Sequence, residues 1–250
     1  MLRLQGKTAI VTGGSAGIGL AISRRLHAEG ARLVLVSRDA GAAAAAIAEL
    51  PGAVHVRGSV ADPETAERAV AAAGELDGVD VLVNNAGVDL VAKLTETTAA
   101  RAREVFETNT FGSLWMLQAV VADLTGAGRG GSIVNVTSRL ATIGVAEMTV
   151  YGASKGALLT LTRGAAVELA PLGIRVNAVA PGMTATPMFD QYLRDHPLGP
   201  AQRQEVESAI PQGRLATPED VAAAVAFLAA EESAHITGAS IPVDGGYTAA

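Results

Sequence analysis

Tyr151 and Lys155 stand four residues apart in the segment YGASK, with only Gly152, Ala153 and Ser154 between them. On a helix, positions i and i+4 share one face, so a phenol and an ammonium there address the same volume. A free tyrosine ionises near pH ~10. A neighbouring cation favours the phenolate: at an effective dielectric of about 20, unit charges about 5 Å apart interact by roughly 3 kcal/mol. That is about two pKa units, enough to bring a phenol toward neutrality and make it a usable proton donor and acceptor. Taken alone, the pair also fits an exposed helix face with no chemistry at all.

A second segment suited to chemistry is TGGSAGIG, Thr12 to Gly19. Glycines let the backbone approach a phosphate, and a helix N-terminus attracts the anion. Gly13, Gly17 and Gly19 follow a G-x-x-x-G-x-G spacing, not G-x-G-x-x-G, with Ser15 and Ile18 between them. A tight strand–helix turn is the plainer alternative for a glycine cluster.

The elements that must position these groups are legible as alternating patterns. TAIVTG, RLVLVS, VHVRGSV, VDVLVN, SIVNVTS, IRVNAVA and SIPVDG read as seven strands, starting at Thr8, Arg32, Val54, Val79, Ser132, Ile174 and Ser240. Their near-continuous hydrophobicity implies burial on both faces, as in a parallel sheet. Helical segments lie between them, which predicts an α/β doubly wound sheet with helices on both sides. Asp62-Pro63 and Thr217-Pro218 place a capping residue before a proline at a helix start. The alanine-rich DAGAAAAAIAEL reads as a short surface helix. No linker or repeat interrupts residues 1–250, so one domain is expected. The single irregular region is long and proline-punctuated, from Thr186 to Gly213, and reads as a lid at about 187–213.

Composition narrows the classes. Hydrophobic residues make up 49% and charged residues 18%, so a sizeable core is available, and with aromatics at only 3% it must be built from aliphatic residues. A net charge of -6 argues against a nucleic-acid or anionic-membrane binder. With no cysteine there is no disulfide, thiolate metal site or cysteine nucleophile. His27, His55, His196 and His235 lack ligand spacing, so no metal is expected. No apolar run reaches membrane-spanning length and no signal-peptide pattern opens the chain, so a cytoplasmic protein is expected. No histidine accompanies a candidate nucleophile and no G-x-S-x-G elbow occurs, which sets a serine hydrolase aside.

TGGSAGIG, NNAG (Asn84 to Gly87), Asn109, Ser138, YGASK, Pro181-Gly182 and VDGG (Val243 to Gly246) occur in one order over almost the whole chain. In that order and spacing the chain resembles the short-chain dehydrogenase/reductase family. The resemblance implies a Rossmann-type fold and hydride transfer between a nicotinamide and a carbonyl or secondary alcohol. Tyr151 would be the acid/base, tuned by Lys155, which would also bind the nicotinamide ribose. Ser138, thirteen residues before Tyr151, would hold the substrate oxygen. Asn109 would bend its helix and hold a proton-relaying water. Asn85, Ala86 and Gly87 resemble the floor under the adenosine ribose, while Asn84 ties the sheet. Pro181, Gly182, Thr184 and Thr186 resemble the clamp on the nicotinamide amide.

The resemblance also bears on which cofactor is used. Ser37 stands where NAD-dependent members carry an aspartate, and Arg38 follows it; a guanidinium there can bind a 2′-phosphate. NADP(H) is therefore preferred and NAD(H) possible, since Ala16 lacks the second basic residue many NADP(H) members carry. Ser59 replaces the family's usual aspartate at the adenine amine, so either its hydroxyl or the Val60 backbone makes that contact.

For the substrate, the pocket is expected along Arg139 to Met148, Thr184, and the lid residues Met188, Phe189, Tyr192 and His196. Arg139 stands where the family usually has a small apolar residue. It binds an anionic substrate group, or, as the favoured reading, it faces solvent or pairs with Glu147. Many relatives reduce 3-oxoacyl groups on acyl carrier protein, and Arg129 could help dock that acidic carrier. Leu172, where such reductases tend to be basic, and the net charge weigh against it. A soluble ketone, steroid-like or sugar-like alcohol is the other reading, including an NAD-dependent dehydrogenase. A non-catalytic cofactor sensor or scaffold is the alternative of another class. The family's habit implies a homotetramer or homodimer.

Overall fold

The computed structural model describes residues 2–187, 189–190, 193 and 199–249. Seven strands form one sheet: β1 (Thr8–Thr12), β2 (Arg32–Ser37), β3 (Val54–Arg57), β4 (Val81–Asn84), β5 (Gly131–Val136), β6 (Ile174–Pro181) and β7 (Ser240–Val243). Their order is β3-β2-β1-β4-β5-β6-β7, and every pair is parallel. All seven expected strands are present. Only the ends differ: VHVRGSV and VDVLVN each contain just four strand residues, because Gly58 to Ala61 and Val79-Asp80 turn away from the ladder.

The helices whose bounds the described residues fix are α1 (Gly17–Ala28), α2 (Ala40–Glu49), α3 (Pro63–Gly74), α4 (Ala99–Phe106), α5 (Gly112–Gly126), α6 (Thr149–Leu169), α7 (Gly199–Ser208) and α8 (Pro218–Ala229). Crossover geometry places them on both faces, so the sheet is covered twice. On one face Ile22 and Leu26 of α1 pack with Val221, Val225 and Leu228 of α8 against β1 and β4. On the other, Ala66 and Ala69 of α3, Met116 and Val120 of α5, and Ala165 and Leu169 of α6 pack against Ile10, Leu82 and Ile133. All five residues of β1 are buried, as the continuous apolar run requires, whereas the edge strand β7 has none fully buried.

Local sequence sets the helix starts. Asp39 accepts hydrogen bonds from the Gly41 and Ala42 amides, and Asp62 accepts one from Glu64 with Pro63 at the first turn. Thr217 and Asp220 form a reciprocal capping box on α8. One feature departs from expectation. The segment at 186–213 is not irregular throughout: α7 forms in it, because Ala201 to Ser208 are good helix formers and Pro200 is tolerated in a first turn. Between α4 and α5, Glu107–Phe111 form a π turn that widens one continuous helical path around Asn109, where the resemblance implied a bend.

The chain winds outward from β1 to β3, then returns to β4 on the other side of β1. At that reversal the loops leaving β1 and β4 diverge and open a crevice at the carboxyl ends of the strands. Among the described residues, no helix is long and apolar enough to cross a membrane.

Candidate active site

Tyr151 lies in the first turn of α6, and Lys155 follows one turn later on the same face. The lysine Nζ sits 6.0 Å from the Tyr151 ring centroid. Its side chain is 4% exposed and donates to the Val136 carbonyl at 2.9 Å, at the carboxyl end of β5. Ser138 follows two residues later. It caps a short turn over Arg139–Ala141, where its hydroxyl accepts from the Leu140 amide at 3.2 Å. That cap fixes the serine beside the phenol, close enough to stabilise a phenolate.

Asn109 sits inside the π turn and is fully buried. Its Oδ1 accepts from the Val88 amide at 2.8 Å, while its Nδ2 donates to the Val88 carbonyl at 2.9 Å and to Ser154 Oγ at 3.0 Å. Ser154 in turn donates to the Tyr151 carbonyl at 2.7 Å, so the π turn and the tyrosine turn are bonded together. A Cβ on Gly87 would meet Asn109 Oδ1 at 3.3 Å and Lys155 Nζ at 3.4 Å. The four groups expected to work together thus converge on one end of the sheet, with Gly87 leaving room beside them.

The protonation of the pair differs from the expectation. Burial pushes the Tyr151 phenol up to about 12, the Ser138 hydroxyl draws it down, and the Asp89 carboxylate raises it. Burial also pulls the Lys155 ammonium down to about 8. Desolvation dominates both shifts, and neither group's charge figures among the causes of the other's: both are held toward their neutral forms, and the phenol is not lowered.

The glycine loop is built as the spacing implies. Gly13 and Gly17 have φ of 64° and 49°, in the left-handed region. A Cβ on Gly19 would land 2.0 Å from the Gly13 carbonyl, so α1 can start against the loop only with glycine there. No side chain caps α1, whose N-cap is Ala16, and its first turn carries no acid. A Cβ on Gly17 would meet only Thr186 Cγ2, at 3.9 Å. An open, uncapped helix start under a glycine loop suits the pyrophosphate of a dinucleotide, so the residues present fit such a cofactor. Ser15 is buried under the loop and Ile18 is partly buried.

The flanking positions fall along the same edge. Arg38 is exposed and makes no ion pair with any described residue. The Asp39 carboxylate is occupied by the α2 cap. The Ser37 hydroxyl is in use, 3.1 Å from His55 Nε2. Ser59 Oγ accepts from the Ala61 amide at 3.3 Å, and Val60 lies with both its side chain and its backbone against Gly112. Asn85 Nδ2 donates to the Thr12 carbonyl at 2.9 Å, and the amides of Asn85 and Ala86 donate to Thr12 Oγ1. Asn84 bonds Asn135 across to β5 and the Ser113 carbonyl of α5, as its tying role requires. Pro181 pairs with Val243, the Gly182 amide donates to the Val243 carbonyl, Thr184 is 5% exposed, and Thr186 Oγ1 accepts from the Phe189 amide.

Arg139 corrects a favoured reading. It neither faces solvent nor pairs with Glu147, which is exposed; it is 8% exposed, with Cζ 4.0 Å from the Tyr247 ring centroid. The turn that Ser138 caps directs the side chain inward, toward the C-terminal segment. Met188, Tyr192 and His196 lie outside the described residues. The sequence assigned no role to four residues that the structure brings into the site. Thr12 and Ser154 are small polar residues inside motifs and gave only that signal; Asn135 gave one as a lone amide in an apolar strand; Asp89, after NNAGV, gave none.

Comparison with known proteins agrees with this geometry. The family model described as enoyl-(acyl carrier protein) reductase matches residues 13–248. The chain is 40% identical over 248 residues to the L-xylulose reductase of Bos taurus, covering 99% of each chain. It is 40% identical over 249 residues to an L-rhamnose 1-dehydrogenase (NAD(P)(+)) of Azotobacter vinelandii, covering 96% of each. The crystal structure of levodione reductase superposes with a TM-score of 0.95 at 31% identity, covering 99% of this chain and 100% of that one. The chain belongs to the short-chain dehydrogenase/reductase family and is an oxidoreductase of the class acting on CH–OH groups with a nicotinamide cofactor.

Proposed function

We propose that the protein interconverts a carbonyl and a secondary alcohol on a small polyhydroxylated substrate, using NADP(H) in preference to NAD(H), with Tyr151 as acid in reduction and base in oxidation. The observation that carries this reading is the convergence of Ser138, Tyr151 and Lys155 at one end of the sheet, with Asn109 bonded behind them. When bound, the cofactor supplies or accepts the hydride. Ser138 and Tyr151 hold the substrate oxygen between two hydroxyls. In reduction the phenol gives its proton to that oxygen as the alcohol forms, and in oxidation it takes the proton back. Lys155 binds the ribose hydroxyls on the nicotinamide side and supplies the positive charge that offsets a phenolate. Asn109 orders the π turn so that Gly87 and Lys155 keep their spacing. A phenol held up at about 12 is fully protonated at neutral pH, which is the form reduction needs.

Support for NADP(H) comes from the end of β2. Arg38 is free to meet a phosphate, and no carboxylate there is available to accept from a ribose diol, since Asp39 caps α2. Support for a polyol or ketose comes from the sugar-acting relatives. The glycine loop would hold the pyrophosphate at the middle of the cofactor and the segment Pro181 to Thr186 its nicotinamide end, with Asn85, Ala86 and Gly87 beneath the adenosine ribose.

The test is a parallel titration with NADPH and NADH by nicotinamide fluorescence, followed by a panel of ketoses and polyols. NADPH should bind at least tenfold tighter, a gap of about 1.4 kcal/mol, and at least one ketose should be reduced. Equal or tighter NADH binding would sink the role given to Arg38. Cofactor binding with no turnover across the panel would favour a sensor or scaffold.

A further inference from the structure

We infer that Arg139 is the anion-binding residue of the substrate pocket, and that the substrate carries a carboxylate, as a hydroxy- or oxo-acid does, beside the carbon that reacts. This rests on the reading of the site as that of a dehydrogenase. Arg139 directly follows Ser138, and the capped turn holds both main chains in place beside the phenol. Its guanidinium is buried, with Cζ 4.0 Å over the Tyr247 ring. Tyr247 itself stands just past β7, whose Val243 pairs with Pro181 at the carboxyl end of β6, so both partners belong to the active-site edge.

One guanidinium nitrogen, Nη1, is sealed from solvent and has no hydrogen-bond partner. No ion pair joins Arg139 to any described carboxylate. Asp244 feels the charge of Arg139, which helps hold its carboxyl below the usual range, but it forms no ion pair with it and spends its oxygens elsewhere: Oδ1 accepts from the Gly246 amide, and Oδ2 from the Thr248 amide and hydroxyl. A buried cation is tolerated when it is paired or fully hydrogen-bonded, and the ring face of Tyr247 supplies attraction without accepting that N–H. A planar fork with a spare, desolvated N–H is the group that reads a carboxylate in two parallel bonds. Asp89, whose charge reaches Tyr151, repels an anion on its own side. That leaves Arg139 as the group to hold the substrate's charge.

The experiment compares aldonates of three to six carbons with the alditols of the same chains, with NADP or NAD, on the full chain. We expect kcat/KM to favour the aldonate at least tenfold, mainly through KM. Arg139→Gln should collapse the ratio toward one, and Arg139→Lys should restore part of it. A wild-type enzyme that treats both series alike, or an Arg139→Gln enzyme that keeps the preference, overturns the inference and leaves the dehydrogenase reading standing. Calorimetric binding of the aldonates to the protein saturated with NADP is measured alongside. Binding that weakens at least tenfold in both variants without turnover of any compound supports Arg139 and counts against the dehydrogenase reading. No aldonate binding to the wild type overturns the inference outright. Thermal unfolding of each variant shows whether it folds, and the wild-type comparison stands without them.

Discussion

Tyr151 keeps its proton more firmly than a free tyrosine, and the reason is burial, not the company of Lys155. Two neighbours then act in opposite directions. Asp89 places a negative charge where a second would form, so Asp89→Asn should lower the phenol's pKa. Ser138 stabilises the anion, so Ser138→Ala should raise it. An absorbance titration of phenolate in the cofactor-free protein, with Tyr151→Phe subtracted, reads both directions. Activity in the oxidative direction should follow: at a fixed pH below the phenol's pKa, Asp89→Asn should oxidise faster than wild type if the phenolate is the base. A fall in the titration midpoint with Ser138→Ala would overturn the assignment of that hydroxyl. The sequence made the pair of Tyr151 and Lys155 legible because four residues on a helix always share a face. It could not show the sign of the shift, which depends on how deeply the surrounding fold buries both groups.

At the level of elements, α1 and the glycine loop depend on contacts closer than any side chain allows. Gly19→Ala would drive a Cβ against the Gly13 carbonyl, so the helix start must move away from the loop. The expected result is a loss of about 1–3 kcal/mol of stability, read by denaturant unfolding, together with loss of cofactor binding. Unchanged stability and binding would show that the loop tolerates the shift. The strands and capped helix starts were legible because apolar runs and Asp-Pro or Thr-Pro pairs are local signals. FETNTFG carries an ordinary helical pattern, so the irregularity at Asn109 was signalled only by the family resemblance, and its π geometry not at all. Its widening comes from bonds to distant partners: Asn109 to Val88 and Ser154, and Thr110 Oγ1 to the Ser154 carbonyl at 3.0 Å. α7 was hidden by the prolines around it, which punctuate the segment without excluding a helix between them.

Over the whole molecule, the site is assembled from pieces far apart in the chain by one topological fact, the reversal between β1 and β4. The loops after β1, β4, β5 and β6 meet at one edge, and the C-terminal segment closes over them through Tyr247. The order of motifs along the sequence announced this arrangement only by resemblance to a family. The placement of Arg139 shows what that route misses, since its burial depends on Tyr247, more than a hundred residues later. The proposed function stands or falls with Tyr151 as the group that moves the proton accompanying the redox step. Its most direct test is Tyr151→Phe, with NADPH affinity and steady-state turnover measured on the same preparation. Affinity should stay within about twofold of wild type while turnover falls by about 10²–10⁴-fold, the usual reach of a positioned acid or base. Turnover within a few-fold of wild type would contradict it.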